Sequence, residues 1–167
     1  MASINDLGAT AEAILNAFAT QLELQGVELP KVQYVAPGSM IAWDAPSLTV
    51  ALETITQGQP GAPFGQTYQI GTVTELSASF GILLIREIPA LTSEGSLDDM
   101  IPSQFVLDTA GQSILGDAAN LVKAAIAIHD KYLITSPGEG FVIGPITPLG
   151  PQGGMAGHKL NLEISLS

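Results

Sequence analysis

Hydrophobic side chains recur at two different periods along this chain, and the switches between them outline its elements. Leu7, Ala11, Ile14, Leu15, Phe18 and Leu22 fall at the three- and four-residue spacing of one helical face. Asn5 or Asp6 can cap that helix and Gly26 stops it, while Thr10, Asn16, Thr20 and Gln21 make the opposite face polar with little charge. Pro30 and Pro37-Gly38 predict an irregular connection. The period then drops to two: Leu48, Val50 and Leu52 alternate with Thr49, Ala51 and Glu53, as in a half-buried strand, with Trp43 and Asp44 at its entrance. A second alternation, over 72–88, puts Leu76, Ala78, Phe80, Ile82 and Leu84 on one face and Glu75, Ser77 and Ser79 on the other. Between the two strands, residues 56–66 hold three glycines, two prolines and no charge. Such a segment cannot pair throughout, so the pattern predicts a hairpin with a long tip.

Residues 91–100 are acidic and turn-rich, and helical spacing returns behind Ser103 as a second cap. Ile114, Leu115, Ala118, Leu121, Val122, Ala125 and either Ile128 or His129 line a face that runs to about residue 132. Gly111 and Gly116 lie inside this helix; each costs about 1 kcal/mol against alanine there, which predicts a break or a close helix contact. After Pro137-Gly138 the pattern gives a short strand over 141–143, a second Gly/Pro loop over 144–154, and a closing strand through Leu160, Leu162, Ile164 and Leu166. The order helix-strand-strand-helix-strand predicts a single α+β domain over 1–167. Its mainly antiparallel sheet should carry both helices packed on one face and leave at least one edge open.

Composition narrows what such a domain can do. Hydrophobic residues make up 46% of the chain, which excludes disorder, and charged residues only 13%, which is low for an isolated monomer and predicts that neighbours cover part of the surface. Sixteen acidic against five basic residues give a formal charge of -11, so the basic footprint needed to grip nucleic-acid phosphates is missing. A surface of that sign would instead let DNA slide past without adhering. With no cysteine, disulfides and thiolate metal sites are excluded. Neither a basic-then-apolar leader nor an apolar run of about 18 residues is visible, so the expectation is a soluble chain with no membrane partner and no classical export signal.

Candidate chemistry is sparse. His129 and His158 are the only imidazoles and sit in no metal-ligand or nucleophile-base spacing. His129 reads as a cation at a helix C-terminus, beside Asp130, and His158 as a strand-surface residue. Asp98-Asp99 reads as solvated charge in a turn. Gly138-Glu139-Gly140 followed by Gly144 mimics a dinucleotide loop but precedes a strand where a helix is required. No catalytic, cofactor-binding or metal residue is therefore expected, and the chain reads as a non-enzyme. What remains are contact loops: Gln57, Gly58, Gln59, Pro60, Gly61, Pro63 and Phe64 in the first Gly/Pro segment, and Pro148, Gly150, Pro151, Gly153 and Gly154 in the second.

Three stretches carry a resemblance: Ile41-Ala42-Trp43-Asp44 leading into Leu48-Thr49-Val50, then Gln57-Gly58-Gln59-Pro60-Gly61, and late in the chain Gly144-Pro145 with the run from Pro148 to Gly154. They resemble a family of small neck and tail proteins of long-tailed actinobacterial phages. The element order, over most of the chain, is similar to the tail-terminator fold of siphophages. Ala45 departs from the pattern, a cysteine being expected there in relatives. The resemblance implies a homo-oligomeric ring, usually a hexamer, that caps the tail tube and joins it to the head-side connector. Its partners would be the major tail tube protein and a head-tail stopper or connector, with DNA passing and not specifically bound. The place implied is the virion neck, with the host cytoplasm during assembly. In such a ring Glu94, Asp98 and Asp99, a turn without a neutralising base, would face the lumen. A stopper or head-tail adaptor of the same neck shares these features, whereas a small-molecule binding module would require polar groups converging on a pocket.

Overall fold

A computed structural model describes residues 4–38, 45–61, 75–89 and 103–166. These residues form an α+β fold of two helices on a five-stranded mixed sheet. Helix α1 (Leu7–Leu24), after a short 3-10 turn at Ile4–Asp6, is followed by β1 (Val32–Ala36), β2 (Ser47–Gln57) and β3 (Leu76–Glu87). Helix α2 (Gln104–Asp130) leads to β4 (Phe141–Gln152) and β5 (Met155–Leu166). The strand order is β1-β2-β3-β5-β4, parallel between β1 and β2 and antiparallel elsewhere.

Local chemistry sets the ends of both helices. Of the two residues that could cap α1, Asp6 does so, its side chain accepting from the Ala9 amide at 2.9 Å. At the other end Gly26 adopts φ +78, which lets its own amide reach the Glu23 carbonyl and the Val27 amide reach Leu22. Ser103 caps α2 by accepting from the Val106 amide. The same C-terminal motif closes α2, where the amides of Tyr132 and Leu133 bond the carbonyls of His129 and Ile128. Tyr132 takes the left-handed position there with φ 51, although that position favours glycine.

The core lies between the helices and one face of the sheet. Ile14, Phe18 and Leu22 of α1 and Leu121, Ala125 and Ile128 of α2 meet Phe80, Ile82 and Leu84 of β3 and Leu160, Leu162 and Ile164 of β5, all buried. The strand phase read from alternation is therefore the observed one: Ala78 to Leu84 at even positions face the helices. Ser77, on the other face, is also buried, where its hydroxyl bonds that of Thr56 across the hairpin at 2.8 Å. Leu121→Ala should remove a fully buried side chain and lower the unfolding free energy by about 2–5 kcal/mol. A urea midpoint unchanged from the wild type would exclude Leu121 from the core.

Several expectations need correction. β1 occupies the segment read as irregular; five residues between two prolines, with only Ala36 buried, give too short a pattern to stand out. Segment 144–154, expected as a loop, is mostly strand, because β4 is an edge strand and prolines are tolerated where an amide need not pair. The ladder to β5 slips between Ile143 and Ile146 and again between Leu149 and Gln152, each time around a Gly-Pro pair. Helix α2 runs unbroken through Gly111 and Gly116, and a Cβ at either would meet nothing within 4 Å. Leu115, counted in the buried face, is 68% exposed, and Ile128, not His129, is the core position. Trp43, Asp44 and the start of the second alternation lie outside the described residues.

Candidate functional site

The two loops proposed for contacts sit at opposite ends of the sheet. Gln57 pairs with Leu76, which pairs with Leu166, at one end; Gln152 pairs with Met155, which pairs with Glu87, at the other. Strands of twelve residues separate them by roughly 35 Å. Their described parts are too far apart to form one surface within a single chain.

At the first end the base of the loop is pinned. Gly58, at φ 113, donates to the Glu75 carbonyl, and the Gly61 amide donates to the Glu163 carboxylate at 2.6 Å. Pro60 packs on Gly140, where a Cβ would approach the proline ring to 2.7 Å. Gln59 is left at the rim. Pro63 and Phe64 lie outside the described residues. Beside this loop a cleft of about 300 Å³ is lined by Gln59, Pro60, Glu75, Glu139 and Ser165 among others. Two of its polar side chains are committed to the fold, since Glu139 accepts from the Ser136 amide at 2.6 Å and Ser165 from the Gly140 amide at 3.0 Å. Among the described residues no group of three or more His, Asp or Glu side chains comes together as a metal set.

At the second end Gly153 and Gly154 form the two-residue turn between β4 and β5. Both have positive φ, 57 and 76, the requirement of the tight hairpin turn that matches strand twist. Gly-Gly between apolar runs was the available signal for this hairpin, hidden by the prolines before it. Pro148 is paired opposite His158, while Gly150 and Pro151, joined by a cis bond, fall where the ladder slips. Glu94, Asp98 and Asp99 lie outside the described residues.

The face of the sheet away from the helices has contacts of its own. Ala36, Ala51 and Leu83 form a small second cluster with Tyr34 and Leu149. Lys159 of β5 and Glu53 of β2 meet at 2.7 Å across β3, over Gly81, where a Cβ would come within 2.8 Å of the carboxylate.

On the helix side three elements are tied by one arginine that the sequence reading passed over. Arg86 at the end of β3 grips Asp117 of α2 through two nitrogens, at 2.7 and 3.1 Å, and donates a third bond to the Glu28 carbonyl after α1. Next to this pair stands His158, which is 6% exposed and not the surface residue expected. Its pairing with Leu84 turns it toward the helices. Burial pushes its pKa below 6.5, against a smaller upward pull from Asp117, and its Nδ1 has no partner among the described residues. The unfolded chain then takes up a proton before the folded one does. Stability should be fully present above pH 6.5 and fall as the pH drops from there through the lower folded pKa. His158→Phe should flatten the profile in this window, measured by urea unfolding at stepped pH; a slope equal to that of the wild type would remove His158 as its source. His129, by contrast, is exposed in the last turn of α2, bonded to Asp130 and tilted against Phe141.

The remaining feature is an apolar surface. From Asp117 onward α2 packs on the fold, but its first thirteen residues, about 20 Å of helix, leave Val106, Leu107 and Leu115 exposed at 42%, 45% and 68%. Compared with the profiles of known protein families and with curated proteins, the chain matches none.

Proposed function

We propose that this chain is a structural protein of a phage neck, a tail terminator that forms a homo-oligomeric ring on the tail tube, joins it to the head-side connector and lets DNA pass. The sequence motifs around Trp43, Gln57 to Gly61 and Pro148 to Gly154 support the family reading, although the chain has two more strands than the expected order. The observation that carries the assembly reading is the half-helix at the start of α2 with its exposed leucines and valine, in a chain that has few charges and two sheet edges. Exposed apolar surface of this kind marks an interaction site in a soluble protein. The edges differ: β4 carries Pro145, Pro148 and Pro151, which block further strand pairing, whereas β1 has no proline within it. Side-chain packing and the β1 edge therefore supply ring contacts, in preference to the β4 edge.

Cross-linking within assembled particles tests the reading. Links from this chain to the tail tube protein on one side and to a head-side connector on the other are the expected result. Links to connector proteins on both sides would favour a stopper or adaptor, and none to either would overturn the neck assignment. Reversing Glu94, Asp98 and Asp99 together to lysine should slow DNA ejection, most at low salt, since exposed charges are screened over about 8 Å at physiological ionic strength. Unchanged ejection from particles that assemble would remove these acids from the lumen.

A further inference from the structure

The buried stripe of α2 does not end where the sheet ends. Val106, Ala110 and Ile114 continue, at intervals of four, the face that carries Leu121, Ala125 and Ile128 into the core, and Leu107 flanks it. Within this half, Gln104 to Gly116, the only charged residue is Asp108. In a chain of net charge -11, that makes it a surface a second acidic copy can approach with little repulsion.

The other side of the molecule offers a counterpart. Helix α2 lies over β5 and β4 while α1 lies over β2 and β1, so the overhang and the β1 edge are on opposite flanks. On the β1 flank Val32 is 43% and Leu24 71% exposed, and Lys31 stands next to Val32. Of the five basic residues Arg86 is held by Asp117, Lys159 by Glu53 and Lys131 by Gln21. Lys123 lies on α2 itself, which leaves Lys31 as the cation displayed on the far flank.

We propose that the overhanging half of α2 packs on the β1 flank of a second copy of this chain, with Val106 and Leu107 covering Val32 and Asp108 facing Lys31. Different patches of identical subunits then meet head to tail, the arrangement that closes into rings. The match is apolar against apolar with one opposite charge pair, and charge complementarity of this kind fixes partner and register more than it adds affinity. The proposal rests on the ring part of the functional reading and names the surfaces that make the ring.

The absence of cysteine allows a clean test. A chain carrying Leu107→Cys, mixed with one carrying Val32→Cys and oxidised, should give a cross-linked pair of the two, while Leu107→Cys mixed with Glu12→Cys should not. Asp108→Lys and Lys31→Asp, each alone, should weaken self-association roughly tenfold at low salt. Both in one chain should restore it, with melting curves unchanged because both sites are exposed. Oligomers that persist with unaltered mass in both single reversals, without a 107–32 cross-link, would overturn this interface and leave the ring reading in place. A chain that stays monomeric in solution, and on assembled particles shows neither the cross-link nor a closed ring, would end both.

Discussion

Arg86→Met is expected to lower the unfolding free energy by about 3–5 kcal/mol, because it strands the Asp117 carboxylate, 4% exposed, without its counter-ion. The guanidinium spans two carboxylate oxygens and a backbone carbonyl, so no single water can replace it. The loss falls at the joint of β3, α2 and the segment after α1. Arg86→Met combined with Asp117→Leu removes both charges from the same space and should recover most of the stability, since an ion pair of this burial is worth little more than an apolar pair of similar volume. Urea unfolding of the two single variants and the double variant gives the coupling directly. A single Arg86→Met cost below about 1 kcal/mol would mean that solvent reaches Asp117 and that the joint is not made by this pair.

That pair also shows what sequence could and could not reveal. The two helices, the β2–β3 hairpin and the closing strand follow from periodicity, since each buries a face with a fixed repeat against one core. Helix caps were legible for the same reason: Asp6, Gly26 and Ser103 act through atoms a few residues away. β1 and most of β4 were not, because their sequences obey a different constraint. One is short and parallel; the other sits at an edge where Gly-Pro pairs interrupt the ladder without ending it. Arg86, Asp117 and His158 come from three elements, and nothing in their local sequence announces that they meet. The exposed half of α2 was misread for a related cause. Leu115 fits helical periodicity as well as Ile128 does, and only the placement of Asp117 beside Arg86 shows that the helix start passes beyond the sheet. The second candidate loop is mostly strand, the first is described only as far as Gly61, and their placement at two ends of the sheet is a property of register.

Gly157→Ala should be among the most damaging single changes in the sheet, at about 3 kcal/mol, although it adds one methyl group. Gly157 of β5 lies between Ile85 of β3 and Leu149 of β4. A Cβ there would stand 2.0 Å from the Leu84 carbonyl oxygen and 2.9 Å from the Ile85 Cα. Both obstacles are backbone, so no rotamer change relieves the clash, and the β3–β5 pairing has to part beside the Arg86 joint. Gly111→Ala is the comparison of opposite sign. It sits in the exposed half of α2 with nothing within 4 Å of the added methyl, and should raise stability by about 1 kcal/mol through helix propensity. Melting and urea curves of both variants decide the point. If Gly157→Ala unfolds at the wild-type midpoint, β5 does not approach β3 as closely as its register with Leu84 and Ile85 requires. If Gly111→Ala destabilises an oligomer while stabilising the monomer, the methyl is meeting a second chain on the overhang.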